Sequence, residues 1–238
     1  MIKFRIYLSE NTRGIPYNYA YSLSRILHGW LELKITYDKL NLYSMGWLSG
    51  RNVQQSPSSP KQRREGALFF RGGAHWDIGM YDDERARQLM ERLQGERIDF
   101  YGMQVQKAEI LKPPSNDFST GNHRFLANSP VLLRKPAENG NYTHVTFRDQ
   151  ESGKLLSDGI RKKAEKAGLS AEEALNVFFD PNFQNAKTRL IDIQGHKMKT
   201  SVCPVIAYGA PEILEFIWTL GAGELCALGF GGLDHTGR

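Results

Sequence analysis

The chain has 238 residues, room for one large or two small domains, and 40% of them are hydrophobic, enough for a packed core. No apolar run is long enough to cross a bilayer, and Met1-Ile2-Lys3-Phe4-Arg5-Ile6 alternates apolar and basic residues instead of following the order of a secretion signal. The formal charge of +5 suits a polyanionic partner, and Cys203 and Cys226 make neither a metal spacing nor a disulfide framework, so the expectation is a cytoplasmic protein with no metal, no cofactor and no membrane.

Ile2 to Leu8 reads as a strand with Ile2, Phe4, Ile6 and Leu8 on one face and Lys3, Arg5 and Tyr7 on the other. The basic face is either a solvated sheet surface or a strand that tracks phosphates. A turn at Gly14-Ile15-Pro16 precedes a helix over 18–33 with an apolar stripe of Leu23, Ile26, Leu27, Trp30 and Leu31. Tyr21, Arg25, His28 and Glu32 recur along a neighbouring face. A second strand follows at Asn41 to Leu48, then a polar loop over 49–64 carrying Arg51, Lys61, Arg63 and Arg64. Ala67 to Phe70 and Ala74 to Met80 read as a hairpin. Asp82 to Leu93 reads as a helix with acidic residues at its start, and Ile98 to Leu111 as a strand.

This order is strand, helix, strand, strand, helix, strand, the split βαβ or ferredoxin-like plan. Lys112 to Asp117 reads as a linker. The second half reads as a decorated version of the same plan. It has a strand over Phe125 to Arg134, a helix over Leu169 to Phe179, strands over Lys187 to Ile193 and His196 to Ala207, and a helix over Pro211 to Leu220. The fold class expected is α+β, with two tandem ferredoxin-like (RRM-like) domains over 1–112 and 123–238.

The last helix runs into Gly221 to Leu233, where five glycines in thirteen residues flank a short apolar middle. Such a loop either turns its amides toward a phosphate or is a glycine-rich turn before a final strand. Its pattern, G-x-G-x5-G-F-G, resembles the C-terminal loop of the CRISPR repeat-processing endoribonucleases of the RAMP superfamily. The basic first strand, Pro16-Tyr17-Asn18-Tyr19 at the entry to the first helix and the Ser129-Pro130 strand carry the same resemblance, which covers nearly the whole length.

The resemblance implies a metal-independent cut in CRISPR repeat RNA. The ribose 2′-hydroxyl attacks the adjacent phosphate and leaves a 2′,3′-cyclic phosphate and a 5′-hydroxyl. Such a cut needs a base for the 2′ proton, an acid for the 5′ oxygen and a cation for the charge on the phosphorane. His28 is the first choice for the histidine, with a helix-surface histidine bonded to Glu32 as the structural alternative. The sequence departs from a common family pattern, because no histidine lies between Leu33 and Leu48. Tyr37, Asp38 and Lys39 occupy that stretch. Lys39 is the candidate cation, and Tyr37 is the candidate for orienting the ribose or moving a proton.

RNA contacts are expected from Lys3, Arg5, Arg25, His196, Lys197 and Lys199, and from Gly221, Gly223, Gly229 and Gly231. Some relatives carry lysine or arginine in the middle of the glycine loop. This one reads Glu224-Leu225-Cys226-Ala227-Leu228, which leaves packing as the other role for Leu225 and Leu228. His75, His123, His144 and His235 read as surface or turn residues. The partners implied are CRISPR repeat RNA or its processed guide and, for a noncatalytic RNA-binding subunit, an effector complex. A structural α+β interaction module is the rival from another class. A homodimer stays open.

Overall fold

The computed structural model describes residues 1–34, 40–56, 66–93, 100–113, 118–138, 140–170 and 174–235. The first half runs β1 (Ile2–Leu8), β2 (Ile15–Pro16), α1 (Ala20–Trp30), β3 (Tyr43–Met45), β4 (Val53–Ser56), β5 (Ala67–Phe70), β6 (Ala74–Met80), α2 (Asp83–Leu93) and β7 (Val105–Leu111). The second runs β8 (Asn122–Ala127), β9 (Leu133–Pro136), β10 (Tyr142–Val145), α3 (Ser152–Lys166), β11 (Asn176–Phe179), β12 (Lys187–Ile193), β13 (His196–Val202), β14 (Val205–Tyr208), α4 (Pro211–Leu220) and β15 (Leu233–His235).

The first sheet has the antiparallel order β3-β6-β1-β7, with Phe4 of β1 opposite both Ile78 and Ile110. The alternation read in the sequence puts Phe4, Ile6 and Leu8 into a core with Leu23 and Leu27 of α1 and Ala86, Leu89 and Leu93 of α2. Full burial of a Leu, Ile or Phe side chain contributes about 1.5–3 kcal/mol. The end of α1 is held by α2: Arg85 Nη2 donates to the Leu31 carbonyl at 2.5 Å and Arg92 Nη1 to the Trp30 carbonyl at 3.2 Å. Those cations satisfy carbonyls that a helix end leaves unpaired. A small sheet of order β2-β5-β4 flanks the first half.

The second sheet has the order β11-β14-β8-β15. Taken as β8, α3, β11, β14, α4, β15, it repeats the split βαβ plan of the first half. Hairpins β9–β10 and β12–β13 are insertions in that plan. The molecule is therefore an α+β protein of two tandem ferredoxin-like units, each with its own buried cluster.

Several elements differ from the expectation. The helix expected over 169–179 is instead α3, further upstream, and Asn176–Phe179 is strand β11; residues 171–173 lie outside the described residues. Leu156, Ile160 and Ala164 form the buried stripe of α3 at helical spacing, and two glycines and several lysines hide it in the sequence. Val177 and Phe179 are buried while Asn176 and Phe178 are not, a two-residue period that β11 requires. Pro130 and Pro204 each divide one expected strand in two, since proline has no amide for the ladder. β3 is shorter than expected, and residues 98–99 of the strand expected over 98–111 and 114–117 of the expected linker lie outside the described residues.

The second face of β1 is where the two units meet, and it corrects the reading of Lys3 and Arg5 as a phosphate track. Both are buried, at 4% and 3% exposure. Lys3 Nζ donates to the carbonyl of Trp218 at 3.0 Å and to that of Leu233, which ties β1 to α4 and β15. Burial lowers its pKa to about 8. Arg5 forms a two-pronged pair with Asp77, Nε to Oδ1 at 2.6 Å and Nη2 to Oδ2 at 2.7 Å, and that hydrogen-bonded carboxylate raises its pKa. Ser44 Oγ donates to the Thr219 carbonyl at 2.7 Å.

Candidate functional site

Three of the candidate RNA contacts, His196, Lys197 and Lys199, sit on the β12–β13 hairpin. Its register pairs Ile193 with His196, Asp192 with Lys197 and Leu190 with Lys199. Ile191, Ile193 and Met198 turn inward onto Leu132, Leu228 and Phe230. Because strand side chains alternate, Lys197 and Lys199 point outward, and both are exposed, as is His196 beside the turn. The turn is fixed by Gly195 (φ +84°) and docks on α1, where Gln194 Nε2 donates to the Tyr21 hydroxyl at 2.8 Å. Arg25, four residues after Tyr21, is exposed on the same helix face. Arg25 and His196 thus lie toward the α1 side of the hairpin, and Lys197 and Lys199 on its outer face.

His28 is not a helix-surface residue. It is 2% exposed, and Glu32 is not its partner. Its Nδ1 lies 2.6 Å from the Ser24 carbonyl and its Nε2 2.9 Å from the Tyr43 hydroxyl. A carbonyl only accepts, so Nδ1 carries the proton and Nε2 accepts the Tyr43 O–H. Burial lowers the His28 pKa and raises that of Tyr43 to about 12, so both are neutral near pH 7. The imidazole reaches no phosphodiester directly in this arrangement.

Tyr43 also lines a cleft of about 370 Å³ with Tyr81, Arg85 and, from the second unit, Lys166. Leu33 and Asn41 stand at its edge. The stretch between them holds Tyr37 and Lys39, and both lie outside the described residues. Nothing local in the sequence marks Tyr43, whose contact with His28 joins β3 to α1 over a separation of fifteen residues.

The glycine loop does not present a phosphate cradle. Gly221, Gly223, Gly229 and Gly231 are all buried. The Gly221 amide donates to Ile217, that of Gly229 to Cys226 and that of Gly231 to Pro130, at 2.8, 3.2 and 2.9 Å. Glycine is required here by close approach. At Gly231 (φ +62°) a Cβ would stand 1.8 Å from the Ala222 carbonyl oxygen. At Gly229 (φ +89°) it would stand 2.9 Å from Met45 Cε. The Ser129-Pro130 motif is the loop's clamp: Gly232 N donates to Ser129 Oγ at 2.8 Å. Glu224 is neutralised by Arg134, whose Nη2 lies 2.7 Å from Oε2. Trp47 Nε1 donates to the Gly229 carbonyl at 2.8 Å, so the loop wedges the units together.

Two ferredoxin-like units in tandem, with a glycine-rich loop between the last helix and last strand, define a protein of the RAMP class. The family model described as CRISPR associated protein Cas6, C-terminal, matches residues 111–235, and the chain belongs to that family. Among solved structures it is similar to one described as a RAMP protein binding different RNA substrates (TM-score 0.80, 16% identity, 100% of each chain covered). It is similar too to one described as CRISPR associated protein Cas6 (TM-score 0.77, 19% identity, 99% of each chain). A third is the product of a Cas6-related gene from Pyrococcus furiosus (TM-score 0.77, 17% identity, 100% of this chain and 99% of that one). No curated protein matches the sequence. Among the described residues, no helix is long and apolar enough to cross a membrane.

Proposed function

We propose that this chain is a cytoplasmic, metal-independent endoribonuclease that cuts CRISPR repeat RNA by attack of a 2′-hydroxyl on the adjacent phosphate. The observation that carries the reading is the Cas6 family match over 111–235, on a fold whose inserted hairpin holds Lys197 and Lys199 out to solvent. The working units are 1–112 and 123–238. His196, Lys197, Lys199 and Arg25 hold phosphates, and the cleft beside Tyr43 takes the scissile nucleotide. Lys39 neutralises the charge that develops on the phosphorane, and Tyr37 orients the ribose. His28 acts at second hand as a positioning residue: the 2′ proton passes to the Tyr43 oxygen as the Tyr43 proton passes to His28 Nε2, and the departing 5′ oxygen takes its proton from water.

The burial of His28 specifically favours a second reading, a noncatalytic subunit that holds guide RNA in an effector complex. The two are separated by incubating the protein with its host's repeat RNA in EDTA, alongside RNA carrying 2′-deoxyribose at the cut site. The enzyme cuts the first, spares the second and leaves a cyclic phosphate. Lys39→Ala lowers the single-turnover rate by about 10²–10³-fold with binding retained. Tight binding with no cut by the wild type would establish the noncatalytic subunit.

A further inference from the structure

A second cleft, of about 240 Å³, opens between the β2-β5-β4 sheet and the β12–β13 hairpin, away from His28 and Tyr43. We propose that it binds one unpaired nucleobase of the RNA by stacking, an inference that rests on the RNA-binding reading above.

The cleft is aromatic, preformed and roofed by a cation. Trp47 forms part of its wall, with the Arg189 guanidinium 5.2 Å from its ring centre. The indole is held in place by its bond to Gly229, and Tyr19 leans against it at 5.8 Å between centroids. Tyr19 is itself fixed, its hydroxyl accepting from the Leu48 amide at 3.1 Å. Tyr17 and Val53 stand at the mouth and expose 40% and 41% of their surface, a large apolar outlay for a protein with two complete cores.

An arginine over a flat ring in an aromatic-walled cleft suits a base in any sequence context, since every base has a π-face. Polar edges complete the match: Gln55 and Ser49 line the same cleft and are exposed, so they can read a base edge. The charge outside is right for a backbone. Lys187 is exposed two residues from Arg189, on the same strand face, and Arg51 is exposed in the turn before β4. A base inside and phosphates on Lys187 and Arg51 describe a single-stranded nucleotide. The hairpin is then shared, with Lys197 and Lys199 on its outer face and Lys187 on its inner one serving phosphates and Arg189 serving a base.

The test is repeat RNA in which 2-aminopurine replaces one unpaired base at a time. With wild-type protein, one position or two neighbouring ones show stacking quench. Tyr17→Ala and Arg189→Gln restore that fluorescence and weaken binding by about 5- to 100-fold, the range measured for loss of a base–aromatic stack. An abasic site at the same position gives the same loss, and Tyr17→Ala then adds nothing to it. RNA that binds tightly with no quenched position, or variants that weaken abasic and intact RNA alike, would overturn the base site and leave the RNA-binding reading standing. RNA that does not bind wild type at all would remove both. Circular dichroism melts of Tyr17→Ala, an exposed side chain, separate loss of fold from loss of the stack.

Discussion

Lys3, Arg5 and His28 show how a polar side chain can be moved off the surface by what docks over it. In the sequence Lys3 and Arg5 alternate with apolar residues, the mark of a solvated sheet face. In the structure α4 and β15 cover that face, and each cation is kept only because it finds a partner: carbonyls for Lys3, Asp77 for Arg5. His28 is held neutral by burial, which has a consequence for acid stability. Its pKa is lowered in the folded chain and near 6.5 in the unfolded one, so above about pH 7 neither state is protonated and its contribution is fully present. Below about pH 6.5 the unfolded chain takes up the proton first, and stability falls as pH falls toward the folded pKa. His144, lowered by burial and by Arg134, adds the same sign. Urea unfolding at about pH 7 and about pH 5 should show wild type losing more stability than His28→Gln, by at most about 1.4 kcal/mol per pH unit. Equal losses would mean that His28 titrates alike in both states.

The elements of the molecule were unevenly legible, and the reason is physical. Strands and helices with a clean apolar stripe, β1, α1, β6, α2 and α4, were readable because that stripe packs into a core. α3 was missed because its stripe is narrow and broken by glycines, and two strands were over-extended across prolines. Candidate contacts divided the same way. The exposure of Lys197 and Lys199 was readable because an inserted hairpin has a core on one face only. The glycine loop was recognised by its spacing but its chemistry was not, since nothing local says that Pro130 and Ser129, a hundred residues away, take up its polar groups. The hairpin gives the element-scale test. Lys197→Ala and Lys199→Ala, made singly, should each flatten the plot of log affinity for repeat RNA against log salt by about 0.7, one single-strand phosphate contact, with melting unchanged. An unchanged slope in both would place the phosphates elsewhere.

At the scale of the whole molecule, the two units are coupled through hydrogen bonds to backbone as well as through apolar contacts such as Tyr81 on Phe216, 6.1 Å between ring centres. Lys3 reaches across to Trp218 and Leu233, Ser44 to Thr219, and Trp47 to Gly229. The tightest point is Gly79 of β6, where an added Cβ would lie 1.8 Å from the Thr219 carbonyl oxygen and 2.7 Å from its carbon. Neither neighbour is the free end of a flexible side chain: one strand and one helix end must separate to admit a methyl group. That separation also lengthens the Ser44 and Lys3 bonds to the same helix end. Gly79→Ala should therefore lose more than a local contact, about 1–3 kcal/mol of overpacking, and should do so at the boundary between the two units' clusters. The expected result is one cooperative urea transition for wild type and, for Gly79→Ala, a lower midpoint with separate loss of the two units. Indole emission after replacing Trp218 by phenylalanine reports the first unit, because Trp30, Trp47 and Trp76 all belong to it. RNA affinity should fall with the coupling, since the stacking cleft takes its rings from one unit and Arg189 from the other. A Gly79→Ala chain that melts in one step at the wild-type midpoint would mean that the seam yields without cost, and the coupling would have to reside in the glycine loop.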